Sequence, residues 1–236
     1  MPSAKRNFLS LIVVVAVFGA IMLTGVIGNM RRGNYVVLPI MLTSLGICGL
    51  AIWFGHYRVR VLLRDRTPER IIDHYHRSVR RIPYADAAAA YLSALAAAFF
   101  GEFSRAHREL DAVDWDKMPP MYQGHRLYAQ AVLALLEDTD YPKALRLADE
   151  GKRLESTDPK GGLELLDGII HLVADGANPE TIERLERVAN KQHGMMPAMC
   201  AWALAIHYKR TNQTDKAADY KSLLRMMVPS CAPLQS

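Results

Sequence analysis

Thr139-Asp140-Tyr141-Pro142-Lys143-Ala144 separates two apolar, alanine- and leucine-rich stretches, and Gly101-Glu102-Phe103-Ser104-Arg105-Ala106 does the same further upstream. Each is a short break, then an aromatic residue, then an alanine three positions on. Two more breaks follow the same grammar: Gly176-Ala177-Asn178 precedes Ile182 and Leu185, and Asn212-Gln213-Thr214 precedes Ala217 and Leu224. Phe103, Tyr141, Asn178 and Thr214 hold the equivalent place, at separations of 38, 37 and 36 residues (141−103, 178−141 and 214−178). A near-constant period of this size is produced by stacked helical hairpins, because one hairpin cannot bury its apolar face alone and needs neighbours on both sides. From Tyr84 onward no alternating β-branched runs occur, so the region reads as all-α.

The spacing also has a packing logic. Small residues such as Ala106, Ala144 and Ala217 let the two helices of a hairpin approach closely, while larger residues fill the space between hairpins. Across about Tyr84 to Pro229 the pattern resembles a degenerate tetratricopeptide repeat (TPR) array, whose units run to about 34 residues. The segments at 101–106 and 139–144 are similar to that family's turn into its second helix. In the last unit Trp202, Leu204, Ala205 and Tyr208 resemble the first helix, Ala217 stands at the small position and Pro229 closes the unit. The third unit departs most, with Asn178-Pro179 where an aromatic is expected, but Asn178 capping a helix opened by Pro179 still marks a hairpin boundary. The resemblance implies a concave surface lined by first helices that holds a peptide or a partner helix. Its expected contacts are Tyr91, Arg126, Tyr128 and Tyr208.

The N-terminal quarter is of another character. Phe8 to Gly28 carries no charge over 21 residues, long enough at about 1.5 Å per residue to cross a hydrocarbon core of roughly 30 Å. A second uncharged run extends from Gly33 to Tyr57. Neither has the polar face of a helix in a soluble core. Spans at about 8–28 and 35–56 are therefore expected, forming a hairpin, since the stretch from Asn29 to Tyr35 is too short for anything but a turn. A cleaved signal peptide fits less well: the apolar run is long, no convincing cleavage site follows it, and a second span comes at once. Ala16, Ala20, Thr24 and Gly28 share one face of the first span, as Ala51 and Gly55 do in the second, and small faces of this kind pack spans closely. Neither span has an ionisable residue in its middle, which speaks against transport.

Lys5, Arg6, Arg58, Arg60, Arg64 and Arg66 flank the outer ends of the hairpin, against Arg31 and Arg32 in its turn. The excess places both termini in the cytoplasm, and the expected location is the bacterial inner membrane. Thr67-Pro68-Glu69 reads as an N-cap, a first-turn proline and an acid at the positive helix end. A basic amphipathic helix is expected from there to about Arg81 within a juxtamembrane segment 58–82, followed by the repeat region 83–236. Its apolar stripe of Ile71, Ile72, Tyr75 and Val79 suits either the headgroup region or the first repeat. The sequence pI of about 9.1 traces largely to eight arginines between Arg58 and Arg81 against Asp65, Glu69 and Asp73. Anionic lipids account for this local excess, with Arg58, Arg60, Arg64, Arg66, Arg77, Arg80 and Arg81 as headgroup contacts, and no nucleic acid is expected.

Zinc-protease, paired C-x-x-C, nucleophile-elbow and phosphate-loop motifs do not occur, so no catalytic residue, metal or cofactor is expected. Asp73, His74 and His76 suggest a metal only weakly, because the two histidines point to different helix faces. Asp111, Asp114 and Asp116 around Trp115 lack the ligand spacing of a calcium loop and read as a helix end and turn. His107 with Asp111, and His171 with Asp175, stand at i, i+4. Three cysteines, one inside the second uncharged run, give no disulfide framework and fit a reducing compartment. The resulting expectation is a membrane-anchored scaffold that recruits or stabilises a protein complex at the cytoplasmic face. The other reading is an accessory subunit embedded in a larger membrane complex.

Overall fold

A computed structural model of the chain describes residues 57, 61–154, 161–191 and 194–235. The chain divides into two compact units, Met1–Arg58 and Val59–Ser236. Both expected spans and their small-residue faces, Ala16, Ala20, Thr24, Gly28, Ala51 and Gly55, lie outside the described residues, as do Arg58 and Arg60. Among the described residues no helix is long and apolar enough to cross a membrane.

The second unit is all-α among its described residues. Its helices are α1 (Glu69–Val79), α2 (Ala85–Phe99), α3 (Phe103–Asp111), α4 (Pro120–Leu136), α5 (Tyr141–Arg153), α6 (Gly162–Ala174), α7 (Pro179–Ala189), α8 (Met195–Arg210), α9 (Thr214–Met227) and α10 (Ala232–Gln235), with a 3₁₀ turn at Trp115–Lys117. Phe103, Tyr141 and Thr214 are the first residues of α3, α5 and α9. Asn178 caps α7, its Oδ1 accepting the Thr181 N–H at 2.8 Å ahead of Pro179.

The four breaks share a backbone device. The first residue of each, Gly101, Thr139, Gly176 and Asn212, has φ of +80°, +51°, +97° and +59°. In the first and last breaks the closure is the same: Glu102 and Gln213 donate to the carbonyls of Ala97 and Tyr208, while Gly101 and Asn212 donate to Ala98 and Lys209. This pair of hydrogen bonds satisfies carbonyls that a helix end otherwise leaves open and turns the chain back on itself. Asp138 lengthens the second break by one residue, and Asp140 reaches Ala134 instead. Glycine and asparagine enter the left-handed region at low cost, whereas threonine with its branched Cβ does not. Thr139→Gly is therefore expected to stabilise the protein by about 1 kcal/mol, and Gly101→Ala to destabilise it by a similar amount. Thermal melts of the two variants check both signs.

The first and second helices of the hairpins differ in composition because they occupy different layers. α2, α4, α6 and α8 are buried nearly all round: α2 buries 87–90 and 93–99, and α8 buries 197–205 and Tyr208. α3 buries only Ala106 and Leu110, and α7 only Leu185 and Ala189, each turning its charged face outward. Helices apolar all round belong in an interior and one-sided ones at its surface. α2 pairs with α3, α4 with α5, and α8 with α9, while α6 packs chiefly on α5 and α8. α7 leans on α8 more than on α6, so the third hairpin is the loosest, in the unit whose sequence departs most. α10 packs on α8 and α9 and also reaches α2, where a Cβ added to Gly101 would lie 3.5 Å from Pro233 Cδ.

Polar ties cross between elements. Arg210, at the end of α8, donates to the carbonyls of Val173 and Ala174 at the end of α6, a cation on the negative helix end. Arg105 of α3 bonds Glu69 of α1 at 3.1 Å and Glu102 at 3.2 Å. α1 begins later than the sequence suggests. Pro68 is its N-cap and no side chain caps it; the Thr67 hydroxyl instead bonds the Glu69 carboxyl and, as the leading cause, lowers its pKa. The helix ends at Val79, before the expected Arg81.

Candidate functional site

The apolar stripe of α1 is committed to packing. Ile71, Ile72 and Val79 are buried in the common core and α1 lies on α2. Tyr75 is packed against the same core, and burial pushes its phenol up to about 12. Of the two uses the sequence leaves open, the helix takes the second and covers the first hairpin. Arg64, Arg66, Arg77, Arg80 and Arg81 remain exposed, so any headgroup contact falls to the charged face.

The most elaborated feature between hairpins is a row of rings on α2 and α4. Tyr122, His125 and Tyr128 recur every three residues on one face of α4, Tyr84 is the residue that precedes α2, and Tyr91 comes from its middle. The His125 imidazole stacks on Tyr91 with centroids 4.6 Å apart and an interplanar angle of 14°. Tyr128 meets Tyr91 edge-on at 6.1 Å, and Tyr122 meets His125 edge-on at 5.6 Å. Tyr84 lies 5.4 Å from Tyr122, whose hydroxyl donates to the Pro83 carbonyl at 2.7 Å. Offset and edge-on arrangements of this kind contribute beyond the area they bury. Two of the sequence-expected contacts, Tyr91 and Tyr128, thus meet. Arg126 instead faces Asp116 at 3.9 Å in an exposed ion pair, an arrangement worth little in water.

His125 was not anticipated, although the threefold spacing of aromatic residues at 122, 125 and 128 marks that face. Its Nδ1 is buried without a hydrogen-bond partner, and burial lowers its pKa below the ordinary 6.5. The neutral ring is therefore the folded form. The unfolded chain binds a proton more readily, so this contribution to stability is complete above about pH 6.5 and is lost as the pH falls towards the depressed folded value. His207 is lowered too, by burial and then by Arg210. A His125→Phe variant should show a melting temperature that declines less than wild type between about pH 7 and pH 5, with His207 contributing to the slope that remains.

Tyr208, the fourth expected contact, belongs to a different cluster. It is buried, its hydroxyl donates to Glu186 Oε1 at 2.6 Å, and its ring stacks on Tyr220 at 5.8 Å beneath the Lys216 ammonium at 4.7 Å. Burial first, then Glu186, raises its pKa strongly; the same two causes push Tyr220 up to about 12. These groups tie α7, α8 and α9 together.

The histidine and aspartate pairs read from i, i+4 spacing find other partners. His107 bonds Glu137 at 2.7 Å and His171 approaches Asp167 at 4.0 Å. His76 Nε2 lies 3.2 Å from Ser93 Oγ. Asp111 ends α3, and Asp114 and Asp116 flank the 3₁₀ turn whose buried Trp115 donates to the Leu110 carbonyl at 2.6 Å. Among the described residues no group of three His, Cys, Asp or Glu side chains could hold a metal ion. Cys200 and Cys231 are free and buried, and burial pushes each thiol up to about 12, far from the reactive thiolate range. No family model, curated protein or solved structure matches the chain.

Proposed function

We propose that the protein is a membrane-anchored interaction scaffold: a TPR-like array of hairpins that recruits or stabilises a protein complex at the cytoplasmic face of its membrane, the bacterial inner membrane by this reading. The observation that carries the proposal is the fourfold recurrence of a left-handed break residue two positions ahead of the reference residue, next to two uncharged runs of spanning length. Repetition of one hairpin supplies an extended surface for a protein partner, and the N-terminal runs supply the tether. Tyr91, Tyr128 and Arg126, partly exposed on first helices, are the proposed contacts, and the exposed arginines of the juxtamembrane segment add attraction to anionic headgroups. The chemistry proposed is binding without catalysis, metal or cofactor.

Photo-crosslinking from positions 91, 126 and 128 of the full chain in its native membrane tests this reading. A defined protein neighbour lost on Tyr91→Ala and Tyr128→Ala supports it. Crosslinks to lipid alone at all three positions contradict it. The small-residue faces of the two expected spans favour one other arrangement, an accessory subunit held inside a larger membrane complex. Deleting residues 1–57 separates the two: a recruiting scaffold keeps its partner, whereas an embedded subunit loses it.

A further inference from the structure

α8, α9 and α10 enclose a cavity of about 160 Å³. Its floor is apolar: Trp202 of α8, Leu224 of α9 and Leu234 of α10, all buried. Its rim carries Lys209 from α8, Lys221 and Arg225 from α9 and the Gln235 amide from α10, and among the described residues no acid lines it. Arg105, Lys117, Lys143, Lys152 and Arg184 of this unit are in ion pairs. Lys209, Lys221 and Arg225 have no ion pair or side-chain hydrogen bond among the described residues. Lys221 and Arg225 also stand one helical turn apart, where like charges repel. In the wall beside them, the Trp202 indole N–H is buried with no acceptor.

The contrast between floor and rim defines the chemistry that fits. A neutral apolar molecule would leave the three cations as they are. A small hydrated anion would leave the apolar floor wet. An anion with an apolar body satisfies both, because its hydrocarbon part displaces water from the floor while its charge sits among cations at the rim, where hydrogen bonds to ionised groups are strong. The volume sets the size, since a cavity of about 150 Å³ accommodates a benzene ring.

We infer that this cavity is a binding site for a small carboxylic acid with an apolar body of about six to eight carbons, held by Lys209, Lys221 and Arg225 above a floor of Trp202, Leu224 and Leu234. The site stands apart from the aromatic row on α2 and α4 and does not depend on the scaffold reading.

The test uses the full chain in nanodiscs of neutral lipid, labelled with 5-fluorotryptophan and titrated with phenylacetate and, separately, with phenylacetamide, which keeps the shape and removes the charge. The chain has three tryptophans, and Trp202→Phe identifies the resonance of interest. The expected result is a saturable shift of the Trp202 signal with phenylacetate, at least tenfold weaker with the amide, and at least tenfold weaker for phenylacetate in Lys221→Gln/Arg225→Gln. Those substitutions are at exposed positions and leave the floor intact, so the Trp115 signal should keep its folded position and serve as the control. Equal binding of acid and amide, an unchanged affinity in the double variant, or no shift at millimolar phenylacetate would each overturn the assignment.

Discussion

Leu166→Ala is expected to destabilise the helical unit by about 2–5 kcal/mol. Leu166 lies in the middle of α6 with no exposed surface, among Leu163, Ile169 and Ile170. Truncation removes the transfer free energy of the lost methyl and methylene groups and leaves a void that the surroundings fill only in part. α6 also joins two neighbours, packing on α5 before it and α8 after it, so the void falls where cooperativity passes from the first two hairpins to the last. For a domain of this size, about 2–4 °C of melting temperature is lost per kcal/mol, which puts the expected drop at about 4–20 °C. Near-UV circular dichroism of the full chain in detergent measures it. A drop of less than about 2 °C would mean that α6 is not at the centre of the core.

Ala144→Leu is expected to cost about 1–3 kcal/mol by the opposite route, overpacking. Ala144 sits on the first turns of α5 with no exposed surface, facing α4, and Ala148 one turn later is equally enclosed. Three added carbon atoms must push α5 away from α4 or twist neighbouring side chains off their rotamers. The equivalent position in the last hairpin, Ala217, retains 6% exposure, so Ala217→Leu should cost less. Melting both variants side by side checks the ordering, and an equal or reversed cost would show that the small positions of the repeat are not equivalent crossing points.

The hairpin boundaries were legible in the sequence because the chemistry that makes them is local. Gly101, Gly176 and Asn212 stand where the backbone needs a left-handed residue, and Asn178-Pro179 places a helix start by capping alone. Thr139 fills the same role without a compositional signal, and only its place in the repeat gives it away. The start of α1 was misplaced by the same local reasoning: Thr67 has the right side chain for a cap, but its hydroxyl goes to the Glu69 carboxyl instead. Side-chain partners were less legible. His107 and His171 have acids at i+4, yet tertiary packing brings Glu137 to the first and the preceding turn brings Asp167 to the second. Of the aromatic row, Tyr91 and Tyr128 were expected, and Tyr84, Tyr122 and His125 were not. The cavity beside Trp202 depends on where the chain after Pro229 returns, and no local pattern encodes that return.

The proposed division of labour between an N-terminal tether and a helical array rests on the uncharged runs at 8–28 and 35–56, and alkaline carbonate extraction of membranes tests it most directly. The account predicts that the full chain stays in the membrane pellet after carbonate treatment, while a chain starting at residue 58 is released into the supernatant with its helical content intact. Release of the full chain by carbonate would contradict the two spans, and with them the anchored scaffold.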